Sequence, residues 1–125
     1  MIARTQKILV VEDDQPLLLV LVDKLTSEGF TVLPAKDGEE GLASALRDHP
    51  DLILLDIVMP RLDGLSMLKQ LRADEWGKKV AVIVLTNLSD LEKVSEVIAQ
   101  GSNEYLIKSD HKLEEIVAKV RAKLA

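Results

Sequence analysis

Three β-branched or Leu-rich strand candidates in this chain are apolar at every position: Ile8-Leu9-Val10-Val11, Leu52-Ile53-Leu54-Leu55, and Val80 through Leu85. A strand wetted on one face alternates apolar and polar residues, so an unbroken run requires cover on both faces. A parallel sheet between two layers of helices provides that cover. Two weaker segments bring the strand candidates to residues 7–11, 31–35, 52–55, 80–85 and 105–107, and longer stretches of helical period alternate with them. This alternation is the α/β pattern. Pro34 cannot donate to a ladder, which puts the second strand at an edge, and the short fifth strand, flanked by Glu104 and Lys108, suits the other edge. Right-handed crossovers then give a doubly wound, five-stranded parallel sheet with five helices, and the two edges are consistent with spatial order 2-1-3-4-5.

Helical period is clearest near the C-terminus, where Leu113, Ile116, Val117, Val120 and Leu124 share one face opposite Glu114, Glu115, Lys119 and Lys123. A third helix is expected around Leu65, Leu68 and Leu71, and a fourth around Leu91, Val94, Val97 and Ile98. Asp37-Gly38 and Asp63-Gly64 mark helix entries, while Glu28-Gly29 and Gln100-Gly101 mark helix stops. The 125 residues fit one domain, 1–125, large enough to fold without a metal or disulfide staple, and there is no Cys. A net charge of −5 disfavours broad attraction to nucleic acid or an anionic membrane. The longest apolar runs, 17–22 and 80–85, are far too short for a membrane span. The expectation is a soluble, cytoplasmic protein with neither nucleic acid nor membrane as a partner, the lack of Cys being compatible with a reducing compartment.

Ligands of open α/β sheets bind beyond the carboxyl ends of the strands at the switch point, here between the first and third strands. After the first strand comes Glu12-Asp13-Asp14; after the third, Asp56; after the fourth, Thr86; after the fifth, Lys108. Carboxylates gathered at one rim disfavour one another's ionised forms. A hard divalent cation such as Mg²⁺, which takes one or two carboxylates plus waters and phosphate oxygens, resolves the conflict.

Val10-Val11-Glu12-Asp13, then Leu54-Leu55-Asp56 with Met59-Pro60 and Asp63-Gly64, then Leu85-Thr86, then Tyr105-Leu106-Ile107-Lys108 resemble the receiver domain of two-component response regulators. The resemblance covers essentially the whole chain, with 30 residues from Asp56 to Thr86 and 22 from Thr86 to Lys108, and is to single-domain, chemotaxis-regulator-like receivers. It implies a flavodoxin-like fold in which Asp56 is the phosphoacceptor. It further implies that Glu12, Asp13, Asp56 and the main-chain carbonyl of Val58 hold Mg²⁺, that Thr86 and Lys108 contact the phosphoryl group, and that Thr86 and Tyr105 form the switch. Asp13 is the direct metal ligand in this reading, Glu12 a less direct one, and Asp14, close before Pro16, a helix cap. The implied phosphodonor is a histidine kinase or histidine phosphotransfer protein, and the output is contact with a downstream protein target by a monomer or weak dimer lacking an output domain. Such a chain is not an enzyme beyond accepting and slowly losing its own phosphoryl group. The chemistry agrees: a carboxylate can attack phosphorus to form an acyl phosphate while metal and Lys neutralise charge.

Two departures from the family pattern concern site geometry: Ser109 stands where Pro is usual, in a loop one residue longer, and Asn87 stands where a small residue is usual. The resemblance further implies that the residues two positions beyond Asp56 and Thr86, here the apolar Val58 and Leu88, border the path of an attacking water, so a long-lived phosphorylated state is expected. The alternatives are a pseudo-receiver that acts without phosphorylation and a flavin-binding module of the same architecture, the latter disfavoured because Glu12-Asp13-Asp14 repels a phosphate. His49 and His111 read as surface or helix-end residues and Trp76 as a packing residue at the opposite end of the sheet. In the first helix, Leu17 through Val22 are apolar for more than a turn, so Leu19 or Val20 is left toward solvent as a seat for the donor's helices.

Overall fold

The computed structural model describes residues 5–57, 59, 61–87, 99, 104–107 and 113–125. Its strands are β1 (Lys7–Val11), β2 (Thr31–Ala35), β3 (Leu52–Asp56), β4 (Ala81–Thr86) and β5 (Glu104–Ile107). They form one five-stranded sheet in the order β2-β1-β3-β4-β5, every neighbouring pair parallel. Both expected edges are edges, and Pro34 lies opposite Val10 on the outermost strand. Strands β3 and β4 run one residue further toward their carboxyl ends than their apolar runs. Asp56 still pairs with Leu85, and Thr86 with Ile107, so the ladder carries both polar residues. At the other end of β4, Val80 falls outside the ladder, and its carbonyl accepts from Arg72 Nη1 at 2.8 Å.

The helices among the described residues are α1 (Gln15–Ser27), α2 (Gly38–Asp48), α3 (Gly64–Ala73) and a C-terminal helix (Leu113–Leu124). The expected helix at 91–98 lies outside the described residues. Asp14, Asp37 and Asp63 cap α1, α2 and α3, accepting from Leu17, Glu40 and Ser66 N–H at 3.3, 2.9 and 2.8 Å. Each carboxylate satisfies a donor that a helix start otherwise leaves unpaired. α1 ends at Glu28 with Gly29 in the left-handed region at φ 97°, where glycine meets no steric penalty.

Alternate residues of each strand enter different layers, which explains the unbroken apolar runs. Leu9, Val11, Ile53, Leu55, Val82 and Val84 pack with Ala45 of α2 and Met67, Leu68 and Leu71 of α3. On the other face, Ile8, Val10, Leu52, Leu54, Ile83 and Leu85 pack with Leu18, Leu21 and Leu25 of α1 and Ile116, Val117 and Val120 of the C-terminal helix. Truncating a fully buried leucine such as Leu54 to alanine in either layer is expected to cost about 2–5 kcal/mol. Trp76 packs against the first of these clusters and stacks on His49, ring centroids 4.3 Å apart, so the packing role read for Trp76 holds and His49 caps α2 as a helix-end residue.

Candidate functional site

The carboxyl ends of β1 and β3, adjacent strands of the sheet, bring three acids together. Glu12 follows β1 directly; its N–H donates to the Ala35 carbonyl at 3.0 Å, holding the chain alongside β2 for one more residue. Its side chain is buried, and Oε2 accepts from the Asp14 N–H at 3.2 Å. Asp13 is exposed at the mouth. Asp56 ends β3 with only 4% of its surface accessible. Carboxylate oxygens of Glu12, Asp13 and Asp56 all lie within 4.8 Å of one another.

Unit charges at such separations repel by on the order of 3 kcal/mol per pair at an effective dielectric near 20. The donor set fits a small hard cation: all ligand atoms are carboxylate oxygens, two of the groups are nearly inaccessible to water, and the third faces solvent where an ion can enter. The same set is unsuited to cradling a phosphate directly, which weighs against the flavin alternative.

Thr86, also buried, ends β4 next to β3, and its Oγ1 donates to the Asn87 carbonyl at 3.2 Å. Tyr105 lies on edge strand β5 opposite Val84 and is exposed. Val58, Leu88, Lys108 and Ser109 lie outside the described residues, and so does the Lys108 to Ser109 peptide.

In the sequence Asp37 reads only as part of a helix-entry signal. In the fold its Oδ2 lies 3.5 Å from Nε of Arg61, in the loop that leads from Asp56 to α3. Arg61 adopts φ 67°, the left-handed region that costs a non-glycine residue on the order of 1–2 kcal/mol. The loop closes where Gly64 N–H donates to the Ile57 carbonyl at 2.8 Å. No sequence signal marks this pairing, because it joins two loops through one unusual backbone angle.

The family model for the response regulator receiver domain matches residues 8–121. The response regulator MprA of Mycobacterium leprae is 38% identical over 118 residues, 94% of this chain and 50% of that protein. The transcriptional regulator RpaA of Synechocystis is 35% identical, over 94% of this chain and 48% of its own length. The chain therefore spans about half the length of the curated relatives it matches. Among solved structures, chemotaxis protein CheY4 of Vibrio cholerae superimposes with a TM-score of 0.89 at 28% identity, covering 97% of this chain and 100% of that one. The receiver domain of sensor histidine kinase PA1611 from Pseudomonas aeruginosa, which holds a magnesium ion coordinated in its active-site cleft, gives 0.88 at 33% identity, covering 97% of this chain and 98% of that one. With a family match over nearly its full length and an acidic cluster at the sheet's switch point, the chain belongs to the response regulator receiver domains.

Proposed function

We propose that this receiver, read as one domain over residues 1–125, takes a phosphoryl group onto Asp56 in a two-component pathway. The observation that carries the reading is the convergence of Glu12, Asp13 and Asp56 within 4.8 Å at the carboxyl ends of β1 and β3. An Asp56 carboxylate oxygen attacks phosphorus in line. The P–N bond of a phosphohistidine donor breaks, its electron pair returns to the imidazole, which takes a proton from solvent, and an acyl phosphate remains on Asp56. Glu12, Asp13, Asp56 and the main-chain carbonyl of Val58 are the groups assigned to Mg²⁺, which when bound offsets negative charge on the transferred oxygens. Asp56 is nearly buried, and Glu12 is fixed by its bonds to Ala35 and Asp14. Thr86 and Lys108 are assigned to the phosphoryl oxygens, with Thr86 and Tyr105 as the switch that couples charge to shape.

The donor in this reading is a cognate histidine kinase or a histidine phosphotransfer protein. It docks on the face of α1 where Leu19 is 67% and Val20 45% exposed. The output is contact with a protein target rather than turnover of a substrate. A cytoplasmic location is part of the proposal; among the described residues no helix is long and apolar enough to cross a membrane. Intact-mass measurement after treatment with a small phosphodonor and Mg²⁺ tests the reading. One phosphoryl group is expected, absent in Asp56→Asn and in excess chelator; labelling that survives either change refutes it.

A further inference from the structure

The loop that leaves Asp56 is held from the side by an element that carries none of the candidate site residues. Gly38, at the start of α2, lies so close to Leu62 that a Cβ there would stand 2.6 Å from the Leu62 carbonyl carbon and 2.9 Å from its Cβ. Beside it, the buried Asp37 divides its carboxylate: Oδ1 accepts from the Glu40 N–H at 2.9 Å, and Oδ2 faces Arg61 Nε at 3.5 Å. A buried carboxylate is costly unless compensated. The start of α2 supplies one compensation, and Arg61, brought round by its left-handed backbone, supplies the other. With the Gly64 to Ile57 hydrogen bond, the loop is fixed both where it leaves β3 and where it passes α2.

We propose that Asp37 and Arg61 form a brace that positions the loop between β3 and α3, so that Mg²⁺ affinity at Glu12, Asp13 and Asp56 depends on a residue pair outside the cluster. The inference rests on the reading of that cluster as the metal site of the phosphoacceptor. Neither residue is catalytic; both act through Leu62, which packs on Gly38, and the Gly64 to Ile57 hydrogen bond beside Asp56. Positioning and simple electrostatics differ in sign here. Replacing Arg61 by a neutral residue removes a cation near an acidic site, which by charge alone tightens binding of Mg²⁺. Loss of positioning weakens it.

The experiment titrates isotope-labelled full chain with Mg²⁺ alone and follows amide shifts by NMR, with thermal melting measured in parallel. Arg61→Gln is expected to weaken Mg²⁺ by about fivefold, somewhat less than the ten- to hundredfold lost when a partner of a metal ligand is removed. Arg61→Lys keeps the charge and recovers part of that loss. Arg61→Gly relieves the left-handed backbone, which offsets the loss of the largely exposed Arg61 partner of Asp37, so its melting temperature stays near wild type while its Mg²⁺ affinity falls, whereas a merely structural ion pair would move the two together. Wild-type or tighter affinity in Arg61→Gln overturns the brace and leaves the phosphoacceptor reading standing. A wild-type protein with no saturable Mg²⁺ response overturns both.

Discussion

Gly64 opens α3 immediately after its cap, a position where helix propensity alone favours alanine over glycine by about 1 kcal/mol. The packing argues the reverse for Gly64→Ala. A Cβ on Gly64 stands 2.7 Å from Ile57 Cα and closer still to the Asp56 carbonyl oxygen. Non-bonded carbons rest at about 3.5–4.0 Å, so α3 and the end of β3 must separate by about 0.8 Å. Neither neighbour is a flexible side-chain tip. The separation also stretches the Gly64 to Ile57 hydrogen bond, now 2.8 Å, out of useful range. Overpacking costs about 1–3 kcal/mol and the hydrogen bond about 1 kcal/mol; offset by propensity, the net loss is about 1–3 kcal/mol. Urea denaturation should show a lower midpoint at unchanged slope, and melting should fall by about 3–10 °C for a domain of this size. The displaced atoms belong to Asp56 and Ile57, so phosphoryl acceptance from a small donor should slow as well. An alanine variant that melts at or above wild type would refute the reasoning.

Asp63→Ala removes the acceptor for the Ser66 N–H and should cost about 1 kcal/mol in urea denaturation. At the junction of α1 with the C-terminal helix, the hydrogen bond from Arg121 holds the Glu28 carboxyl below its ordinary pKa of 4.5, outweighing an opposing desolvation, and attraction to Lys24 adds to the lowering. A depressed folded pKa means stability that is present above the unfolded value and lost as pH falls through the folded one. The stability gap between wild type and Glu28→Gln should therefore hold steady above about pH 5.5, close below pH 4.5, and shrink in high salt. Leu19→Glu should slow transfer from a phosphohistidine donor while leaving labelling by a small phosphodonor unchanged; equal slowing of both would remove the docking role of α1.

The sheet was legible because double-sided burial writes itself into a strand as an unbroken apolar run, and because Pro34 can stand only where a donor is not needed. The acids were legible because the strand order puts the ends of β1 and β3 side by side. Strand ends were less so: hydropathy stops at Leu55 and Leu85, yet backbone pairing continues to Asp56 and Thr86. The Asp37–Arg61 pair left no trace in periodicity, since it depends on a backbone angle that a non-glycine residue seldom adopts. The stack of His49 on Trp76 was equally silent, being a contact between a helix end and a distant loop.

The two-layer core also raises a question of alignment. When both faces of a strand are greasy, sliding it by one residue merely exchanges one apolar layer for the other, so burial discriminates poorly between registers. In β1, β3 and β4 the discrimination comes from the ends of the runs. At the entry side Lys7 N–H donates to Asp51 Oδ2 at 2.7 Å, and Lys7 Nζ donates to the Asp48 carbonyl at 2.7 Å. At the exit side Glu12 follows the last residue of β1, and Asp56 and Thr86 follow the last apolar residues of β3 and β4. A slip one way drags a carboxylate beneath the helices; a slip the other way breaks the Lys7 to Asp51 tie. The carboxylates at the rim thus serve as end stops that index the strands, and the chemistry and the alignment of the sheet are specified by the same few residues.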